Sequence, residues 1–203
     1  MKVIVACEFS GIVRDAFLAR GHDAISCDLL PTERPGPHIQ GDIRSVDLSV
    51  YDLMIAHPPC TRLATSGARW FEQYKDEQIE ALEFVRWLLN APVFRIALEN
   101  PVGIIGTHIR PVDQMIHPWQ FGHGEKKATC LWLKNLPRLK PTNIVDERKD
   151  RIWRSITKKD RGKNRSRTYP GIAEAMADQW GGLDTLYGIE PDGQMSFAWD
   201  TAK

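Results

Sequence analysis

The apolar positions of this chain fall into short unbroken runs separated by stretches of helical spacing. Val3, Ile4, Val5 and Ala6 form the first run, and a strand is predicted from Lys2 to Cys7. After the turn Glu8-Phe9-Ser10-Gly11, the residues Ile12, Val13, Ala16 and Phe17 share one face of a helix that Gly21 stops. His22 to Cys27 reads as a second strand ending at Asp28, and His38 to Gln40 as a short third before Gly41-Asp42. Between them Pro31, Pro35, Gly36 and Pro37 predict a long irregular loop. Leu53 to Ala56 is the fourth strand. A polar and aromatic loop follows from Thr61 to Tyr74, where a lid would be. Asp76 to Asn90 is a helix with Ile79, Leu82, Val85, Trp87 and Leu89 among its apolar positions. Val93 to Leu98 forms a fifth strand ending at Glu99, Ala128 to Lys134 another, and Gly171 to Trp180 a last amphipathic helix. Strands alternating with helices predict an α/β class, with a doubly wound, mixed and mostly parallel sheet flanked by helices.

Composition adds exclusions. The 203 residues are 42% hydrophobic and 26% charged with a net charge of +1, enough for one sizeable core and a small appendage. No apolar stretch approaches the roughly 18 residues of a membrane span, and the amino terminus lacks a signal-peptide pattern. Cys7, Cys27, Cys60 and Cys130 are scattered with no Cys-x-x-Cys pair, which argues against a zinc site, a redox pair or a disulfide framework. The expectation is a cytoplasmic protein with no membrane or metal partner. Charge is uneven along the chain: from Arg148 to Arg167, ten of twenty residues are Lys or Arg, opposed by Asp150 and Asp160. Such a cluster is either a solvated loop or a phosphate-contacting segment, and Trp153 and Tyr169 stand where a base could stack.

The candidate chemistry lies at strand ends. Pro58-Pro59-Cys60 follows the fourth strand, so two prolines stiffen the exit that presents a thiol. Glu99-Asn100-Pro101 repeats the design with an acid at the fifth strand. A thiol and a carboxylate in one pocket suit covalent attack on an electron-poor ring, with the acid assisting at a ring nitrogen. Asp28, about twenty residues after the first turn, stands where a carboxylate takes both ribose hydroxyls of a nucleoside-bearing cofactor. Asp42 can reach an adenine amino group from the next strand end.

Taken in order, Phe9-Ser10-Gly11, Asp28, Asp42, Pro58-Pro59-Cys60 and Glu99-Asn100-Pro101 resemble the motifs of the cytosine-C5 DNA methyltransferases that use S-adenosylmethionine. Lys127 to Trp132 looks like the basic strand of some phage-type members, and Thr168-Tyr169-Pro170-Gly171 like their closing motif. The likeness spans roughly residues 1 to 182 and is greatest to small stand-alone phage and prophage proteins. It implies a Rossmann-like methyltransferase fold and transfer of a methyl group to C5 of cytosine through a covalent bond between Cys60 and C6. Glu99 would hydrogen-bond N3 and the exocyclic amine. Phe9, Ser10, Gly11, Asp28, Asp42 and Pro58 would line the cofactor site. His57, Asn100, Arg62, Lys127, Arg165 and Arg167 are the substrate-side candidates, with Arg62, Lys127 or the Arg165-Arg167 pair available to favour the Cys60 thiolate. A base in a duplex would have to be flipped out of the stack.

Three departures from the family pattern matter. The first turn lacks the later glycines, and His57 stands where members usually carry a small residue. Only about 35 residues separate Trp132 from Thr168, too few for a target-recognition domain that reads several bases. Residues 1–187 are therefore expected to be one catalytic domain, with the basic loop 148–167 in place of that region and a tail at 188–203. The partner is expected to be nucleic acid, DNA before RNA, or else a free pyrimidine nucleotide. A non-catalytic binder with the same fold is the reading from a different class, against which the presence of both Cys60 and Glu99 argues; were Cys60 only a core residue, its replacement by serine or alanine would leave activity intact.

Overall fold

A computed structural model of the chain describes residues 1–146, 148–149 and 166–185. The strands β1 (Lys2–Ala6), β2 (Asp23–Asp28), β3 (His38–Gln40), β4 (Leu53–Ala56), β5 (Arg95–Pro101), β6 (Gln114–Ile116) and β7 (Thr129–Lys134) form one sheet in the order β3-β2-β1-β4-β5-β7-β6. β1 to β5 pair in parallel, and β7 runs antiparallel between β5 and β6. Helices α1 (Ile12–Leu18) and α4 (Pro170–Gly181) cover one face, and α2 (Lys75–Leu89) covers the other, with the short α3 (Ile105–His108) beside it. This is the Rossmann-like, doubly wound α/β architecture expected from the sequence, with a mixed, mostly parallel sheet between helical layers.

Burial on both faces explains why the parallel strands read as unbroken apolar runs. Val3 and Val5 pack with Phe17, Met176 and Trp180 on the α1/α4 side, while Ile4 and Ala6 pack with Met54, Leu82 and Val85 on the α2 side. The pleat divides one run between two cores. Each such side chain contributes about 1.5–3 kcal/mol when fully buried. The chain moves outward from β1 to β2 and β3, then returns to β4 on the other side of β1. Strand order reverses there, so a crevice opens above the carboxyl ends of β1 and β4.

Several boundaries differ from the sequence expectation. β1 stops at Ala6, because Cys7 takes a left-handed φ of 58° and turns the chain away. β5 does not end before Glu99 but runs to Pro101, since β7 pairs with it from Ile96 to Pro101. On α2, Ile79 and Trp87 face outward at 48% and 36% exposure, and Leu82, Val85 and Leu88 form the buried stripe. β6 was not expected: three residues, Gln114-Met115-Ile116, carry too little pattern to predict an edge strand. Of the basic segment 148–167, only Arg148, Lys149, Ser166 and Arg167 lie within the described residues. The tail at 188–203 lies outside them. Among the described residues, no helix is long and apolar enough to cross a membrane.

Candidate functional site

β4 is buried along its whole length, so it delivers the following residues at a fixed height above the sheet. The backbone N–H of His57 still donates to Ala6 O at 2.9 Å, as a parallel ladder would. Past the two prolines, Cys60 is half-buried, and its carbonyl accepts the N–H groups of Leu63 and Ala64 at 3.0 and 2.9 Å. The loop is clamped to the segment following β5 by several bonds. Asn100 Nδ2 donates to Pro58 O at 2.8 Å, Thr65 N–H to Val102 O at 3.0 Å, and Ile104 N–H to Leu63 O at 2.9 Å. At Gly103 the backbones approach so closely that a Cβ would lie 2.0 Å from Leu63 O. Only glycine permits that contact. The thiol loop and the acid strand are thus one rigid unit built on adjacent parallel strands.

Glu99 projects from β5 beside this loop, and His57 Nδ1 donates to its Oε2 at 3.1 Å. Burial acts to raise the Glu99 carboxyl, but the hydrogen bond from His57 and the charges of Lys127 and His57 outweigh it, holding the group below its ordinary range. The side chains of His57 and Glu99 are 7% and 15% exposed. His57 Nε2 and Asn100 Oδ1 are buried and have no hydrogen-bond partner among the described residues. Burial, and then the charge of Glu99, pushes the Cys130 thiol up.

The other half of the site belongs to the loops after β1, β2 and β3. Glu8 is buried and accepts the N–H groups of Val13 and Arg14 at 2.7 and 3.2 Å, and Ser10 Oγ donates to it at 3.0 Å. Sequence reasoning missed Glu8. Its signal was an acid directly before a turn that opens a helix. Gly11 takes φ 70° at the start of α1, where a Cβ would meet the Arg14 guanidinium at 2.4 Å. Phe9 is buried. Asp28, Asp42, Pro59, Arg62 and Phe84 line a cleft of about 390 Å³, with Cys7 and Cys27 in its wall. Asp28 Oδ1 accepts Leu30 N–H at 2.9 Å. Asp42 is gripped by the Arg44 side chain at 2.5 and 3.0 Å, and these bonds hold its carboxyl below the ordinary range. Pro58 is buried with its carbonyl committed to Asn100, and its neighbour Pro59 rather than Pro58 lines the cleft.

The basic candidates are dispersed. Arg62 pairs with Glu77 at 2.8 Å and lies 3.7 Å over the Tyr74 ring. Arg167 forks onto both oxygens of Glu33 at 2.6 and 2.7 Å. Lys127 lies 5.7 Å from the Tyr169 ring centroid, and Arg165 is outside the described residues. The segment Thr168 to Gly171 is held by two contacts: Tyr169 O–H donates to Glu125, and Gly171 N–H donates to His123 Nε2 at 3.0 Å. Beyond it Arg148 covers Trp119 at 4.1 Å, and Trp119 stacks with His117 at 5.9 Å. Lys126 and Lys149 belong to the same pair of adjoining segments, joined by Lys126 N–H to Lys149 O at 3.3 Å and Lys149 N–H to Gly124 O at 2.8 Å.

The four thiols differ enough to be told apart chemically. Burial, followed by the charge of Asp28, pushes Cys7 up to about 12 and Cys27 up to about 11. A thiol raised in this way carries almost no thiolate at pH 8 and resists alkylation. Iodoacetamide at pH 8 is therefore expected to modify Cys60 first, with Cys7, Cys27 and Cys130 modified only after unfolding. Peptide mass mapping checks the order; Cys7 is half-buried like Cys60, so its early labelling would show that burial does not hold its thiol protonated.

No family model matches the chain, and no curated protein matches it. Among solved structures, it is similar to a candidate DNA modification methyltransferase encoded within a prophage (E. coli), with 14% identity, a TM-score of 0.49, and coverage of 71% of this chain and 52% of that one. The Entamoeba histolytica methyltransferase EhMeth gives 14% identity and a TM-score of 0.49 over 71% of this chain and 57% of that one. A Spodoptera frugiperda DNMT2 variant gives 17% identity and a TM-score of 0.40 over 72% and 54% of the two chains. The chain thus spans a little over half the length of these structures.

Proposed function

We propose that this protein transfers a methyl group from S-adenosylmethionine to C5 of cytosine in nucleic acid, DNA first, with Cys60 as nucleophile and Glu99 as partner of the ring nitrogen. The observation that carries the reading is the clamped pair of strand ends: a half-buried thiol and a buried carboxylate locked together by Asn100 and Gly103. The adjoining cleft fits a cationic nucleoside cofactor. It has carboxylates at two successive strand ends, an apolar wall at Phe84, and a volume within the usual range of about 300–1,000 Å³. Asp28 and Asp42 would hold the nucleoside, and the Phe9-Ser10-Gly11 turn and the Pro58-Pro59 segment would face its reactive end. When bound, S-adenosylmethionine supplies the electrophilic methyl group that C5 takes up.

The residues of the chain do the rest. The Cys60 thiolate forms a bond to C6 of the ring, and the displaced electron density moves toward C5 and N3. The Glu99 carboxylate accepts a hydrogen bond from the exocyclic amine, and it accepts one from N3–H once N3 takes a proton from water as charge develops there, which favours addition. The C5 proton then passes to water, its bonding pair closes the C5–C6 double bond as the S–C6 bond breaks, the thiolate is returned and N3 gives back its proton. Both ring faces must be accessible for this, so a duplex base would leave the stack, a cost of a few kcal/mol that phosphate contacts offset. Lys126, Arg148 and Lys149, on two adjoining segments, would supply such contacts.

Tritiated S-adenosylmethionine offered with duplex DNA, single-stranded DNA, tRNA and dCMP in parallel tests the proposal. Label is expected in DNA, with a rate that falls steeply with salt. Label in dCMP alone would replace the polymer with a mononucleotide. Cofactor binding without label in any acceptor would overturn the assignment.

A further inference from the structure

His57 and Glu99 are separated by 42 residues yet share a part-buried hydrogen bond of 3.1 Å between the loop after β4 and strand β5. Burying an imidazole against a carboxylate costs desolvation that a residue used only for packing would not need to incur. The bond engages Oε2, which favours one rotation of the carboxylate about its last torsion and leaves Oε1 as the oxygen not held by His57. An acceptor oxygen aimed at the exocyclic amine of a bound ring needs such a fixed direction. The rest of the surroundings is equally fixed. Asn100, the next residue on β5, holds the loop carbonyl of Pro58, the next residue after His57, at 2.8 Å. His57 and Glu99 are therefore one rung of a ladder whose next rung positions Cys60. The imidazole also lines a small crevice with Glu8, Phe9, Ser10, Ser166 and Thr168, where its Nε2 has no partner among the described residues. One nitrogen of the ring is thus in use, and it is the one facing the acid.

We infer that His57 is a positioning residue for Glu99: its Nδ1–H holds one carboxylate oxygen so that the other is presented, in a fixed plane, to the pyrimidine ring. This rests on the methyltransferase reading of the site. His57 touches neither the ring nor the methyl donor in this role, and the requirement is for a hydrogen-bond donor at the Nδ1 position alone.

That requirement separates two conservative replacements. The amide nitrogen of asparagine falls near the place of imidazole Nδ1, and that of glutamine near Nε2. Release of tritium from C5-tritiated cytosine in DNA is the assay. His57→Leu is expected to lower kcat on the order of 10²-fold with KM for DNA changed less than about twofold. His57→Asn should recover at least about tenfold of that loss, and His57→Gln none. Thermal melting checks that each variant is folded. Imidazole ¹⁵N shifts of the unmodified protein give a readout that needs no variant, and a proton on Nδ1 is expected. Full release by His57→Leu, equal release by His57→Asn and His57→Gln, or an unprotonated Nδ1 would each overturn the positioning role while leaving the methyltransferase reading intact. No tritium release by the unmodified protein would remove both.

Discussion

Replacing Cys60 by alanine is expected to lower methyl transfer by at least about 10⁴-fold while S-adenosylmethionine binds with affinity changed less than about twofold. The size follows from the chemistry. An unactivated cytosine C5 is a poor nucleophile, and no other group on the two clamped loops can add to C6 and be expelled again. Cys60 is half-buried and contributes no side chain to either core, so stability should stay within about 0.5 kcal/mol of the unmodified protein. Cys60→Ser is the sharper variant, because it keeps the volume and replaces the thiol with a hydroxyl that is a far weaker nucleophile near neutral pH. Scintillation counting of DNA after incubation with labelled cofactor reads transfer, and calorimetry reads cofactor binding. Transfer within about tenfold of normal by either variant would show that the chemistry does not pass through this thiol.

Arg14→Leu is expected to cost about 3 kcal/mol of stability, a fall in Tm of roughly 6–12 °C for a chain of this size. A charged residue on a seven-residue helix would ordinarily face solvent, but Arg14 is 0% exposed. Its guanidinium pairs with Asp15 at 2.7 Å, donates to Ser26 Oγ and Thr32 Oγ1 at 3.3 and 3.1 Å, and reaches the carbonyls of Arg34, Pro35 and Pro37 at 3.1 to 3.4 Å. Those carbonyls belong to the irregular loop between β2 and β3, where Pro37 O also accepts Ser26 N–H at 3.2 Å and Arg34 O accepts the Thr32 hydroxyl at 2.9 Å, so the guanidinium ties these separate bonds together. Removing the guanidinium takes the shared donor from Ser26, Thr32 and the three part-buried carbonyls and puts an apolar side chain among them, and that penalty exceeds the apolar gain of leucine. The loop also carries Glu33, whose N–H donates to Phe9 O at 2.8 Å and whose carboxylate takes Arg167. Its loosening should therefore weaken cofactor binding as well. Arg14→Lys keeps the charge but not the planar fork, and should fall between the two. Differential scanning calorimetry checks the order; a shift below about 2 °C for Arg14→Leu would mean that the loop holds itself.

The sequence by itself determined the class of the fold, because parallel strands sandwiched between helical layers must be apolar on both faces. Val3 to Ala6 and Leu53 to Ala56 announce this locally, and the stripe of α1 or α4 repeats at 3.6 residues wherever a helix packs on a sheet. It also located a thiol and an acid at the ends of two strands. Edge elements escaped it: β6 is three residues long and has an exposed Met115 at its centre, so no period is established. Glu99 also reads as the end of β5 until an antiparallel partner extends the strand past it. What only the tertiary structure decided is which of these residues meet. His57 reaches Glu99, Asn100 reaches Pro58, Arg14 reaches a loop some twenty residues on, and Gly103 lets two backbones touch. Local periodicity records which face of an element is buried. Strand order and register bring distant polar groups to hydrogen-bonding distance, and no spacing along the chain encodes that.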